Sequence, residues 1–321
     1  MKKETLIYIG KRIILFPIII FVVVSINFIL IHLAPGGPFA ILLSNPAFTP
    51  QEVANLEKEY GLNKPLVEQY FIYIYQVMTG NLGISYFYGI SVTKIFFEYL
   101  PNTLVLASFS LILSSTVGIV LGIFAAMRKG ITDKAFNVVS ITSYTTPVFW
   151  QGIMMILIFS VYLRWFPSTG NYITVGSFNL LEYLWHLVLP VVSLSLLLYP
   201  PIFFFTRSNL LAIMQKDFIK ALYAKGLRER LIFTRHALKN SLLPVVTLIG
   251  LHSTILFGGA AVVEIVFSWP GIGLLTYTAI LNKDYPLMLG SIFFYGLLVA
   301  GVNLIVDLAY LAIDPRINIK R

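Results

Sequence analysis

Six stretches of the chain, roughly residues 13–33, 103–127, 136–163, 185–205, 242–263 and 287–313, are apolar throughout. Each reaches the length of about 20 residues that carries a helix across a hydrocarbon core about 30 Å thick. Unpaired backbone groups are not tolerated in lipid, so such stretches are helical. The predicted fold class is all-α, a polytopic membrane protein with six transmembrane helices. The first stretch follows Lys2, Lys3, Lys11 and Arg12, as a signal peptide would. Its apolar run is longer than a signal sequence needs and no small-residue cleavage site follows, so it reads as a retained span.

Two polar segments are too long and too patterned to be plain connectors. In 34–100, Thr49-Pro50-Gln51-Glu52 reads as a capping box with proline at the first helical position, opening a helix that Gly61 stops. A second helix carries Leu66, Tyr70, Ile74 and Met78 near helical spacing and stops at Gly80. These fit a small helical cap on the outer membrane surface, or a segment that receives something from outside. In 207–240, the run Asp217 to Lys225 reads as a short helix stopped by Gly226. Phe218, Leu222 and the stem of Lys225 share one face, with Ile219 and Tyr223 beside it. Such a stripe on a short helix outside the spans packs on another protein or on a membrane surface.

Composition agrees with the pattern. The 321 residues are 58% hydrophobic and 12% charged, about half the charge of an ordinary soluble domain. The net charge of +9 could suggest nucleic acid, but its distribution points to topology. With the N-terminus inside, 18 of the 23 basic residues fall on the inner side and 5 on the outer. That bias puts both ends in the cytoplasm of a multi-pass protein of the cell (inner) membrane. No nucleic-acid partner is implied.

Catalytic chemistry is not legible in the chain. With no cysteine it has no thiol nucleophile, disulfide or cysteine metal site. Phosphate-cradling Gly-x-x-x-x-Gly-Lys-Ser/Thr, the Gly-x-Ser-x-Gly elbow and His-Glu-x-x-His are missing. His32, His186, His236 and His252 are scattered and read as packing or helix-end residues. No catalytic residue, metal ligand or cofactor site is expected, and no substrate-contact residue can be named. Asp307 and Glu264 are the ionisable residues in or near spans. Asp307 is expected to pair with a basic loop residue, and Glu264 to sit at the interface. Gly118 and Gly122, continued by Ala126, mark a face that meets another helix. Pro147, Pro190, Pro200, Pro201 and Pro244 suggest kinks that border a cavity.

The motifs then converge. DFIKALYAKGL from Asp217 and RHALKNSLLPVV from Arg235 resemble the cytoplasmic signature of permease subunits of binding-protein-dependent ABC importers. HLAPGGP from His32, TPQEVANLEKEYGLNKPLVEQY from Thr49, GNLGISY from Gly80, VVEIVFSWPGIG from Val262 and LAIDPRI from Leu311 extend the resemblance along nearly the whole chain. It is similar above all to the peptide/nickel branch, in its dipeptide/oligopeptide B-type form. One departure stands out. Where the general family has Glu-Ala-Ala, glycine and then Leu-Pro, this chain has Lys220-Ala221-Leu222, Gly226 and Leu238-Lys239, with Leu243-Pro244 further on. That form is usual for the peptide branch.

The resemblance implies a type I ABC importer permease fold. Residues 1–33 would be the cytoplasmic N-terminus and first span, and 34–100 an external helical segment. Residues 101–313 would form a five-helix permease core with a cytoplasmic coupling loop over 207–240, and 314–321 a cytoplasmic tail. Asp217, Phe218, Lys220, Ala221, Leu222, Tyr223 and Gly226 would form the ATPase-coupling site, with Leu243 and Pro244 at the loop end. The chain itself would be no enzyme. It would form half of a translocation pathway for di-/oligopeptides, beside a second homologous C-type permease. ATP and Mg would be bound by two partner ATPase subunits, and an extracellular or periplasmic binding protein would deliver the substrate. Nickel or another small solute is the alternative cargo.

Overall fold

The structure, a computed structural model, describes residues 3–33, 51, 63–128, 130–170 and 179–313. Its helices are α1 (Lys3–Leu33), α2 (Leu66–Met78), α3 (Val92–Met127) and α4 (Ile131–Thr145). Next comes α5 (Val148–Met155), which runs into a π-helical stretch over Ile156–Tyr162. α6 (Leu180–Met214) and α7 (Asp217–Ala224) follow. One turn (Glu229–Leu231) and a second π-helical stretch (Ile232–Leu238) then lead into α8 (Lys239–Phe267). The described chain closes with α9 (Ile272–Leu281) and α10 (Tyr285–Ile313). Among the described residues the one strand-like pairing is an isolated antiparallel bridge between Ile84 and Ser91. The capping box at Thr49–Glu52, the helix expected to end at Gly61, and the tail 314–321 lie outside the described residues, apart from Gln51.

Four helices are individually long and apolar enough to cross a membrane, and two bent pairs bring the number to six. The third apolar stretch is therefore not one continuous helix. Pro147 has no N–H to donate and forces Thr146 out of the helical region, to ψ 128. The helices either side of it meet at 105°. The fifth is bent by 53° between Ser253 and Leu256. The second span starts at Val92 rather than Thr103, and the fourth extends to Met214. Helix outlasts the apolar run in both places because neighbouring packing, not hydropathy, decides where backbone hydrogen bonding stops.

The chain divides into two compact units. The first holds residues 1–101 and 272–308. Val24, Val77, Phe96, Ile272, Phe293 and Phe294 form its core, with Phe96 and Phe294 stacked at 3.8 Å. α2 packs on α1 through a 2.7 Å Ser25–Tyr70 hydroxyl contact and a 2.9 Å contact between His32 and Gln69. As the sequence predicts, α2 ends at Gly80, whose φ of +78 suits a residue without a Cβ. The Thr79 hydroxyl donates to the carbonyls of Tyr75 and Gln76 at 2.9 and 3.0 Å, adding to the backbone bonds that these carbonyls accept from Thr79 and Asn81. Nearby, the buried Asp284 carboxylate accepts from the Ser85 hydroxyl at 2.5 Å and from the Phe87 and Leu287 N–H groups at 3.1 and 3.2 Å. One carboxylate thus pins the 84–91 hairpin to the start of α10.

The second unit spans residues 102–271 and is built around α6. Gly118 and Gly122 of α3 lie directly on the α6 backbone, against the carbonyls of Tyr199 and Phe203. The small-residue face is therefore a close helix–helix seam. Glu264 corrects the expectation of an interfacial residue: it is fully buried and accepts a 2.7 Å hydrogen bond from the Thr103 hydroxyl. A buried carboxylate needs such donors to offset its desolvation. Beside it Trp269, also fully buried, donates its indole N–H to the Asn102 carbonyl at 3.1 Å.

Candidate functional site

The segment between α6 and α8 contains the motif residues, and its construction begins with one anchor. Ile219 of α7 is 1% exposed and packs in a cluster with Leu210 of α6 and with Ile232 and Ala237 of the π-helical stretch before α8. Leu222 packs against the same cluster. Asp217, Phe218, Lys220, Ala221 and Tyr223 are all exposed, Phe218 and Tyr223 at 42% and 43%. The motif's inward and outward faces can thus be told apart, and the division differs from the expected stripe. Leu222 belongs to the inner face, and the outward surface runs through Phe218, Ala221 and Lys225, at i, i+3 and i+7. Tyr223 stands on the other flank of the Ile219 line. Hydropathy alone assigns Leu222 and Phe218 to one face, because it cannot say which apolar side chain meets the rest of the protein.

The ends of α7 are set locally. Asp217 sits in its first turn, where a carboxylate favours the positive end of the helix dipole, and pairs with Lys220 at 2.8 Å. Both partners are largely exposed, so the pair adds little stability. At the other end the Gly226 N–H donates to the Tyr223 carbonyl at 2.9 Å and the Leu227 N–H to the Leu222 carbonyl at 3.3 Å. Gly226 adopts φ +74, in the left-handed region. A Cβ there would meet nothing within 4 Å, so backbone conformation and not space makes this position a glycine.

The segment read as a loop over 207–240 is shorter than expected. α6 continues through Arg207 to Met214 and helix resumes at Glu229. Leu243 and Pro244 are consequently not at its end: both lie inside α8, about one turn from its start, Leu243 with its side chain exposed. Sequence reading also missed what holds this end of the unit together. Arg207 makes a bidentate pair with Asp133 in the first turn of α4, at 2.7 Å for each contact. Asn137 donates to the same carboxylate at 2.9 Å. Nothing local links two residues so far apart in the chain. The available hint was an arginine immediately after an apolar run.

The described residues thus combine four helices, or six spans with the bent pairs, long and apolar enough to cross a membrane with a short helix between two of them that exposes aromatic rings. The chain belongs to the family of binding-protein-dependent transport system inner membrane components: residues 118–319 match that family's model, and residues 5–107 match the model of its N-terminal region. It is similar to the dipeptide transport system permease protein DppB of Escherichia coli K12, with 34% identity over 92% of this chain and 94% of that protein. It is 34% identical to the di/tripeptide permease protein DppB of Pseudomonas aeruginosa, over 98% of this chain and 99% of that one. It is 33% identical to the oligopeptide permease protein AppB of Bacillus subtilis, over 97% and 99%. The fold is that of an ABC transporter permease. A crystal structure of an amino acid ABC transporter with histidines superposes with a TM-score of 0.50, covering 68% of this chain and 94% of that one at 13% identity.

Proposed function

We propose that this protein is the membrane-spanning permease subunit of an ATP-driven importer of di- and oligopeptides, and forms half of its translocation pathway. The observation that carries the cargo is the run of peptide permeases among its relatives, similar along almost their whole length. No specific observation favours nickel. The other half of the pathway belongs to a second, homologous permease of the C type. An external binding protein delivers the peptide. ATP and Mg are bound by two separate ATPase subunits, and this chain hydrolyses nothing.

In this reading α7 is the coupling helix, with both chain termini in the cytoplasm. Phe218, Ala221 and Tyr223 are available for a groove on an ATPase, while Ile219 and Leu222 tie the helix to its own subunit. Two exposed aromatic rings on a helix of eight residues are the kind of anchor that protein interfaces favour. Lys220 and Lys225 add positive charge to the same exposed end. Extraction of the chain in mild detergent, with identification of what accompanies it, tests the assembly. A second permease and two ATPase chains are expected, and Phe218→Ala should release the ATPases while leaving the permease pair intact. Recovery of a lone chain that moves peptide without ATP would refute the reading.

A further inference from the structure

Of the two broken spans in the second unit, the third apolar stretch turns the more sharply, by 105° against 53°. The break at Thr146 and Pro147 falls well inside the run 136–163. No charged residue occurs between Lys134 and Arg164. Non-helical backbone at membrane depth is tolerated where it is buried in protein or lines a water-filled cavity. The first condition is met on one side of this break, and the other side is open.

The buried side faces α6. Ser143 donates to the Leu196 carbonyl at 2.7 Å. Gln151, 7% exposed, reaches back across the break and donates to the carbonyls of Ser143 and Thr146 at 2.6 and 2.9 Å. Those bonds replace helical ones that Pro147 prevents, so the bend is a built feature. Yet the other end of the same carboxamide, Gln151 Oε1, has no hydrogen-bond partner among the described residues. Nor has the fully buried Ser193 hydroxyl, on α6 against Gly152.

The open side carries no charge and mixes hydroxyls with the exposed side chains of Val138, Ile141, Tyr144, Phe149 and Trp150. Thr142 and Thr145, three residues apart and so on one face of α4, are exposed, as is Pro147 at the corner. The face opposite them is the one that packs on α6, through Ser140, Ser143 and Phe136. No side chain caps the first turn of α5, which leaves N–H donors at the corner. Hydroxyls and backbone donors at the corner, with the buried Gln151 Oε1 behind them, match the alternating N–H and C=O groups of an extended peptide. A surface with no formal charge cannot sort peptides by the charge of their side chains.

We propose that the α4–α5 break lines the aqueous path of the transporter and holds the main chain of a passing peptide. Thr142 and Thr145 make the contact, and Gln151 supplies an acceptor as the bend opens. The proposal rests on the peptide-permease reading above. The chain has no cysteine, so any label found on it marks the introduced residue. Thr142→Cys and Thr145→Cys are introduced singly into the assembled transporter in its native membrane, with Val22→Cys in the most apolar span as reference. Each is exposed to a membrane-impermeant methanethiosulfonate. A thiol in water ionises and reacts, whereas an apolar setting raises its pKa, and each unit of pKa costs about tenfold in thiolate. The expected result is labelling at 142 and 145 at least about tenfold faster than at 22, slowed alike by saturating trialanine and by tripeptides carrying lysine or glutamate. Labelling at the rate of position 22, or fast labelling that none of the peptides slows, overturns the proposal. Protection by tripeptides of one charge alone overturns its main-chain basis. Uptake of the same tripeptides by the unmodified transporter is measured in parallel. Absence of uptake refutes the peptide reading itself, while uptake with unprotected cysteines refutes this site and leaves that reading standing.

Discussion

Alanine at both Gly118 and Gly122 should destabilise the second unit, although alanine is the better helix former. A Cβ at Gly118 would stand 2.8 Å from the Ile202 Cβ and 2.9 Å from the Tyr199 carbonyl oxygen. At Gly122 it would stand 2.8 Å from the Thr206 Cβ and 2.9 Å from the Phe203 carbonyl oxygen. Carbon atoms in comfortable contact lie about 3.5–4.0 Å apart, so α3 must withdraw from α6 by several tenths of an ångström or more. Backbone is the obstacle at both sites, and it cannot rotate aside as a side-chain tip could. Overpacking of this kind costs about 1–3 kcal/mol per site. The gain in helix propensity returns about 0.8–1 kcal/mol per glycine replaced. With about 2 kcal/mol of overpacking against about 0.9 kcal/mol of propensity at each site, the double variant should lose about 2 kcal/mol, which for a body of this size is a fall of several degrees in Tm. Gly258 of α8 is the control, since a Cβ there meets nothing within 4 Å. Gly258→Ala should keep only the propensity gain, about 1 kcal/mol or less. Tryptophan fluorescence during thermal unfolding of the purified transporter in detergent reads the three proteins side by side. A double variant as stable as wild type, or as Gly258→Ala, would show that the helices do not meet as closely as the seam requires.

Other substitutions test other joints. Gly226→Asn should retain ATPase coupling, because asparagine tolerates positive φ, whereas Gly226→Val adds strain of about 1–2 kcal/mol or more and should weaken peptide-stimulated ATP hydrolysis without loss of membrane insertion. Asp133→Ala or Arg207→Ala removes one side of a bidentate pair and should cost about 1.5–3 kcal/mol in unfolding stability, with the double variant losing clearly less than the sum of the two. Asp284→Ala strands the Ser85 hydroxyl and two backbone N–H groups, at a cost of at least about 2–3 kcal/mol. Limited proteolysis should then cut within 84–91 in the variant and spare the wild type; equal resistance would show that the carboxylate does not hold the hairpin.

Much of this architecture was legible because lipid simplifies the reading. In a solvent that offers no hydrogen bonds, an apolar run of sufficient length has one conformation open to it, and the six runs appear as helices with their order intact. Gly118 and Gly122 were legible for a related reason, since small residues at that spacing have value only where another backbone comes close. What escaped depended on partners distant in the chain. Pro147 signalled a kink, but a turn of 105° needs the carbonyls it frees to be satisfied, and the donor is Gln151, an ordinary polar residue in sequence. Glu264 was placed at an interface because the end of an apolar run is where a carboxylate can keep its water. The structure gives it Thr103 instead, from another helix. At α7 the sequence displays six apolar or aromatic positions on eight residues and no sign of which ones turn inward. The single buried side chain, Ile219, resolves that ambiguity.

That anchor also determines how movement can pass through α7. Ile219 touches residues of α6 and of the π-helical stretch that opens into α8, within one cluster. A force on the exposed rings of Phe218 and Tyr223 therefore reaches two long helices together, through packed side chains that do not yield by degrees. The two receivers are unequal. On the α6 side Arg207 is held by two hydrogen bonds to Asp133, which joins that helix to α4. On the α8 side the load enters through seven residues of wider π-helical turn and then meets Pro244, whose missing N–H weakens the turn that precedes it. The stiffer route leads from α6 across the ion pair to α4, and α4 ends at the 105° break. If α7 is the coupling helix proposed above, its displacement would be delivered most directly to the corner where Thr142 and Thr145 stand open.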